Sequence, residues 1–230
     1  MRALFTSEIA MLLLCVGAFF IGKYIFVRTK IALFNPLLIS MILIIPTLYF
    51  WEIDYAVFNN GTKMIQFFLG PTVVALGFML YEQIDTIKAN LKSILVSISI
   101  GSFISIASIV IICKLLGTDV SVISSLIPKS VTTPIALSLS KQMGGIEALT
   151  AVSVIITGIL GNIIAVPLFR ILGIKNRIAK GLALGSSAHA IGTMKAMEIG
   201  SLEGAISGLA IGVTGVITAL LSPFFYNFLG

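Results

Sequence analysis

Charge is what this chain has least of. Only 10% of its 230 residues are Asp, Glu, Lys or Arg, while 58% are hydrophobic; ordinary soluble domains carry about 25% charge. With a mean hydropathy of +1.12, the chain reads as an integral membrane protein. Nine acidic residues against fifteen basic ones leave a net charge of +6. The basic residues sit mostly in short loops between apolar runs, where membrane topology accounts for them better than nucleic acid does. Cysteine is almost missing. Cys15 and Cys113 lie in apolar segments and have neither metal-site nor disulfide spacing. Leu14 is too large for the small-residue position of a lipoprotein signal, and no small-x-small cleavage site follows. The N-terminal run therefore reads as the first membrane helix. There is one histidine and no His/Cys/carboxylate cluster, so no metal is expected. Also lacking are a G-x-S-x-G elbow, a P-loop and a dinucleotide fingerprint. No enzyme, no cofactor and no ATP-driven step are expected. With no charged tail or low-complexity tract, residues 1–230 read as a single membrane domain.

What is present is a series of apolar runs. A spanning helix needs about 20 such residues to cross a hydrocarbon core of roughly 30 Å. Runs at 8–27, 32–51, 65–81, 93–116, 147–169 and 203–228 are candidates, with 181–198 a more polar one. Lys23, Arg28 and Lys30 follow the first run. The second opens at Asn35-Pro36, ends on the interfacial aromatics Tyr49 and Trp51, and is followed by the acidic Glu52 and Asp54. Residues 82–92 read as a loop with Lys88 and Lys92. Ser97, Ser99, Gly101, Ser102, Ser105 and Ser108 recur along 93–116, and Gly204, Gly208, Gly212 and Gly215 along the last run. Both patterns suit close helix packing.

Three stretches do not suit lipid. Gly70, Pro71 and Thr72 interrupt the third run. Leu126 to Gln142, LIPKSVTTPIALSLSKQ, holds two prolines, a lysine and several hydroxyls. Residues 181–198, GLALGSSAHAIGTMKAME, are rich in glycine and hydroxyls. Non-helical backbone at membrane depth is tolerated where protein covers it or where it lines a watery cavity. Pro71, Pro128 and Gly185 are spaced 57 residues apart, which suggests internal repeats, and interrupted helices at matching positions point to a transporter binding site. The positive-inside rule places loops 23–30 and 82–92 inside and Glu52/Asp54 outside. It places the basic loop of Arg170, Lys175, Arg177 and Lys180 inside only if 121–142 dips in and returns. The expected fold is an all-α polytopic membrane protein with about seven spanning helices plus proline/glycine-broken or re-entrant segments.

Ionisable groups at membrane depth are candidates for function. Lys129 suits an anion, with Pro128, Ser130, Thr132, Thr133 and Pro134 around it and half-helix N-termini adding positive dipole ends. The competing reading is a lysine snorkelling to the interface. His189, flanked by Ser186, Ser187 and Thr193, suits a proton-coupled switch; the competing reading is an imidazole satisfied by a backbone carbonyl or hydroxyl. Asn162 is the remaining polar candidate, and Lys195 reads as a loop-end charge near Glu198.

Several stretches resemble the LrgB/CidB family of bacterial membrane proteins: PKSVTTPIALSLSKQMGG (128–145), TAVSVIITGILGN (150–162), LALGSSAHAIGTMKA (182–196), EGAISGLAIGVTGVITALLSPF (203–224) and LGPTVVALGFMLYEQ (69–83). One departure is visible, since related sequences usually carry a second proline where Phe78-Met79 stand. The resemblance implies a multi-pass protein of the bacterial cytoplasmic membrane, surrounded by lipid, with a small LrgA/CidA-type membrane protein as partner. It implies two activities: antiholin- or holin-like control of murein hydrolases and autolysis, and passage of a small carboxylate solute such as pyruvate or glycolate. Self-association into a homo-oligomer suits either. A simple holin has no need of proline-broken, hydroxyl-lined segments, so the residues favour the carrier.

Overall fold

The computed structural model describes residues 7–29, 31 and 34–227; Lys30, residue 32 at the start of the second expected span and residue 228 at the end of the last lie outside them. Every regular element among the described residues is a helix. The chain clusters into two compact units, Met1–Ala75 and Leu76–Gly230.

In the first unit α1 (Glu8–Thr29) is apolar along most of its length, and it packs against α2 (Pro36–Phe50). Asn35 caps α2 by accepting a hydrogen bond from Leu37 N at 2.9 Å, and Pro36 fills the first helical position, where no N–H is needed. Asp54 caps α3 (Tyr55–Gly61) by accepting from Ala56 N. α4 (Lys63–Phe67) stops one residue before α5 (Leu69–Glu82) begins. The interruption at Phe68 places Pro71 in the first turn of α5, where its missing donor costs little. Gly70, Pro71 and Thr72 are exposed there, and Thr72 Oγ1 donates to Phe68 O.

The second unit starts within α5. α6 (Ile84–Leu115) has 32 residues, which corrects the loop expected at 82–92. At 1.5 Å per residue it is about 48 Å long, so its first turns, bearing Asp85, Lys88 and Lys92, extend past a hydrocarbon core of about 30 Å. Its buried stripe, Ile87, Ile94, Ile98, Ser102, Ile106, Val110 and Cys113, keeps helical spacing. There follow α7 (Val120–Leu126), α8 (Thr133–Gln142), α9 (Glu147–Ile171), α10 (Arg177–Ile199) and α11 (Ser201–Asn227). α6 and α11 run parallel: Ile87, Ile94 and Ile98 pack with Ile206 and Ala210, while Val110 and Cys113 pack with Phe225 at the far end.

Two stretches fold back on themselves. α7 and α8 are too short to span, at 7 and 10 residues, and Ile123, Ile127, Leu139 and Met143 share one cluster. α10 is a single helix only in name, because His189, at φ 42 and ψ −136, breaks it. Beyond the break the chain reverses. A side chain at Gly192 would collide with Leu184 O and Ala188 Cβ, and one at Gly200 would lie 2.9 Å from Arg177. Residues eight and twenty-three apart can meet only if the arms Arg177–Ala188 and Ala190–Ile199 lie side by side. We call the two units hairpin A (Val120–Gln142) and hairpin B (Arg177–Ile199).

Among the described residues five runs are long and apolar enough to cross a membrane: Glu8–Thr29, Lys63–Glu82, Ile84–Leu115, Glu147–Ile171 and Ser201–Asn227; Pro36–Phe50 is a shorter apolar helix. The expected count of about seven is not confirmed, because 181–198 forms hairpin B and the second run yields only 15 helical residues.

Candidate functional site

α9 is the helix on which both hairpins are seated. Hairpin A is tied to its N-terminal end: Ile146 N donates to Ser125 Oγ at 2.7 Å, and Thr150 Oγ1 donates to Ser140 Oγ at 2.7 Å. Hairpin B lies along its C-terminal half, where Ala165 and Phe169 pack with Leu184 and Ala196. The two therefore enter from opposite ends of α9, and their tips converge on Val154, about a third of the way along it. Val131 and Ala136 of hairpin A pack on the Val154 side chain. The carbonyl of the same Val154 lies 3.0 Å from His189 Nε2 at the tip of hairpin B.

The tip of hairpin A is the stretch Pro128–Thr132. Pro128 is buried, as are Val131 at 1% exposure and Ser130 at 8%; Thr132 and Thr133 are half-buried and Pro134 is exposed. Pro128 cannot donate to a continuing helix, Thr132 is extended, and Pro134 stands in the first turn of α8, where no donor is needed. Lys129 Nζ donates to Ser130 Oγ and to Ser105 Oγ of α6, both at 3.2 Å. Among the described residues no carboxylate pairs with it. Thr132 caps α8 without a side-chain hydrogen bond.

At the tip of hairpin B, His189 is 4% exposed. A carbonyl can only accept, so Nε2 facing Val154 O carries its proton; this is the backbone partner that the structural reading of this histidine requires. Gly158 makes the approach possible, because a Cβ there would lie 2.8 Å from His189 Cε1. Asn162 Nδ2 donates to Ile191 O at 3.0 Å, just past the break. Thr193 Oγ1 donates to His189 O at 3.1 Å and lies 2.7 Å from Ser207 Oγ of α11. Pinning a residue at these angles costs about 1–3 kcal/mol and persists only where the surroundings fix it; Val154, Gly158, Asn162 and Thr193 do so here.

Not every expected residue joins the site. Ser187 is exposed and turns to Ala183 O, and Ser186 donates to Leu182 O within its own arm. Gly70, Pro71 and Thr72 belong to the other unit. The 57-residue spacing does not equate environments, since Ser130 is buried beside Lys129 whereas Ser187 is exposed. Lys195 lies on a helix, not a loop, and pairs with Glu198 at 2.7 Å.

Sequence reasoning assigned Ser102 and Ser105 to packing and passed over Thr214. Ser105 binds the tip of hairpin A. Ser102, one turn earlier, and Thr214 are buried with hydroxyls that have no protein partner. Thr214 is next to Gly215, which sits against Ile135 of hairpin A. Buried hydroxyls without partners are rare in proteins, and these two border the region where the tips meet. A serine recurring at three-residue spacing on α6 was the only signal the sequence held.

Comparison with known proteins bears on identity. The LrgB-like family pattern matches residues 15–228. The chain is 39% identical over 215 residues to the "Antiholin-like protein LrgB" of Bacillus subtilis (strain 168), covering 93% of each chain. It is 37% identical over 214 residues to the proteins of that name from Bacillus mycoides (strain KBAB4) and Bacillus cereus (strain B4264), again over 93% of each. No solved structure matches. With several apolar helical runs fit to cross a membrane among the described residues and a family pattern running nearly end to end, this multi-pass membrane protein belongs to the LrgB-like family.

Proposed function

We propose that this protein carries small monocarboxylates of the pyruvate or glycolate type across the bacterial cytoplasmic membrane, together with a small LrgA/CidA-type membrane partner. The observation that carries the proposal is the convergence of two opposed, broken hairpins on Val154 of α9. Discontinuous helices that meet near mid-membrane are the usual site architecture of secondary transporters. α8 begins at the tip of hairpin A and the arm Ala190–Ile199 at the tip of hairpin B, so each tip brings one positive dipole end, and Lys129 adds a full charge to the first. Lys129, Ser130 and Ser105 receive the carboxylate, and Ser102 and Thr214 offer hydroxyls to the remaining oxygen. His189 fixes the opposing tip through its bond to Val154 O and holds the break open. Either hairpin moving along α9 would expose the site to one side at a time.

The second reading is antiholin-like control of murein hydrolases without a carrier activity; the names of the relatives favour it. Counterflow of labelled pyruvate and glycolate in proteoliposomes, with and without the partner, separates the two. A carrier gives saturable, self-competing exchange and retains a trapped dye. Dye leakage without saturation supports a membrane lesion, and the absence of saturable exchange, with or without leakage, overturns the carrier reading.

A further inference from the structure

At the opposite end of α9 from hairpin A, three cations from three different stretches border one cavity. Arg170 lies in the last turn of α9, Lys175 in the turn that follows and Lys180 in the first turn of α10. Phe169, Ile174 and Ile199 line the same space, which has a volume of about 430 Å³. The local backbone accounts for the shape. Gly173, at φ 65, closes α9 with a left-handed cap. Ile174 N donates to Phe169 O at 2.8 Å and Gly173 N to Arg170 O at 3.2 Å. These carbonyls are therefore occupied and do not draw the cations inward.

The neighbouring carboxylates are occupied too. Glu203 is held by two hydrogen bonds from Arg177, at 2.8 and 2.7 Å, and Glu198 by Lys195 at 2.7 Å. No acidic residue lines the cavity. Among the described residues none forms a salt bridge with Arg170, Lys175 or Lys180, although Lys180 lies near enough to act electrostatically on the Glu203 carboxylate. Topology explains why positive charge collects at this end, where Ile87 near Lys88 packs in one cluster with Ile178 and Leu202. It does not explain why three cations face one apolar-floored concavity.

We propose that this cavity binds a phosphate group, either that of an anionic phospholipid at the membrane interface or that of a soluble phosphate ester. A monocarboxylate bears one charge and would leave two cations uncompensated. A phosphate offers several acceptor oxygens to donors arriving from different directions. Basic pockets at the positive end of membrane helices are suited to anionic lipid headgroups, and the apolar floor suits the adjoining glycerol and acyl carbons. The site is separate from the hairpin tips, with the buried cluster of Ala165, Phe169, Leu184 and Ala196 beside it. Because Lys180 and Ile199 belong to the two arms of hairpin B, a bound phosphate would clamp the base of that hairpin to α9.

The test uses the purified full chain in detergent. Thermal melting and native mass spectrometry are followed against cardiolipin, phosphatidylglycerol and phosphatidylcholine in one arm, and against glycerol 3-phosphate and inorganic phosphate in the other. The expected result is saturable stabilisation by a phosphate ligand. In R170Q/K175Q/K180Q it should weaken about a hundredfold, at roughly 1 kcal/mol per cation near an anionic surface, while K88Q/K92Q binds like the unmodified protein. Stabilisation confined to the anionic lipids identifies a headgroup site, and stabilisation by glycerol 3-phosphate a solute site. If no phosphate ligand binds, if phosphatidylcholine stabilises as well as the anionic lipids, or if the two variants lose binding equally, the proposal is overturned. Should the triple variant fail to melt cooperatively, K180Q alone is read by the same criteria.

Discussion

Replacing Lys129 with methionine separates its two readings sharply. Methionine keeps much of the length and the apolar stem of lysine and removes the charge. Among the described residues the ammonium has the hydroxyls of Ser105 and Ser130 as partners and no carboxylate, so no ion pair there is broken. If the charge serves only structure, its removal leaves uptake unchanged. If it binds the substrate, the cost is that of one charged hydrogen bond to the carboxylate. Such a bond is worth about 1.5–3 kcal/mol, and about 1.36 kcal/mol is a factor of ten in an equilibrium constant. Half-saturation for pyruvate or glycolate counterflow should therefore rise about 10- to 150-fold. The melting temperature should hold or rise, because an uncompensated, half-buried charge has been removed. Ser130→Ala, losing one neutral hydroxyl, should cost about 0.5–1.5 kcal/mol, and the exposed Ser187→Ala should behave like the unmodified protein. Unchanged half-saturation in Lys129→Met, in protein that melts normally, would refute the assignment of the carboxylate to this tip.

Three further outcomes test the architecture. His189→Gly relieves the strained backbone but loses the bond to Val154 O, whereas His189→Ala loses the bond and keeps the strain; the alanine variant should melt below the glycine variant by about 1 kcal/mol or more of stability. Gly185→Ala drives a methyl group into Ser207 O at the interface between α10 and α11, and should cost about 1–3 kcal/mol in denaturant titrations. For the pair of Arg177 and Glu203 the cost should be asymmetric. Arg177 is 55% exposed and Glu203 only 4%, so Arg177→Met strands the less accessible carboxylate and should lower the melting temperature more than Glu203→Gln does. Glu203→Gln leaves an arginine that water can reach. The reverse order in melting experiments contradicts this account.

Much of the fold was legible because apolar length is a local property. The runs at 8–27 and 147–169 became Glu8–Thr29 and Glu147–Ile171 with shifts of a few residues. Pro128 and Pro134 announced a break because proline acts on its own backbone. The break at His189 carried no such mark. No proline lies near it, and the strained angles are imposed by packing with Val154, Gly158, Asn162 and Thr193, which are distant in sequence or beyond the turn. The glycines and hydroxyls of 181–198 marked it in the sequence as ill suited to lipid, but only the approach of Gly192 to Leu184 reveals the reversal.

Composition alone determined that this is a helical membrane protein, since a chain with 10% charge and 58% hydrophobic residues cannot present a soluble surface. It also drew attention to Lys129 and His189, the ionisable groups that apolar surroundings make costly. Only the tertiary structure decided that the two sit at the tips of opposed hairpins, joined through the side chain and the carbonyl of Val154. That meeting depends on where a chain turns back, and the turn is fixed by packing against α9, which no short window of sequence contains.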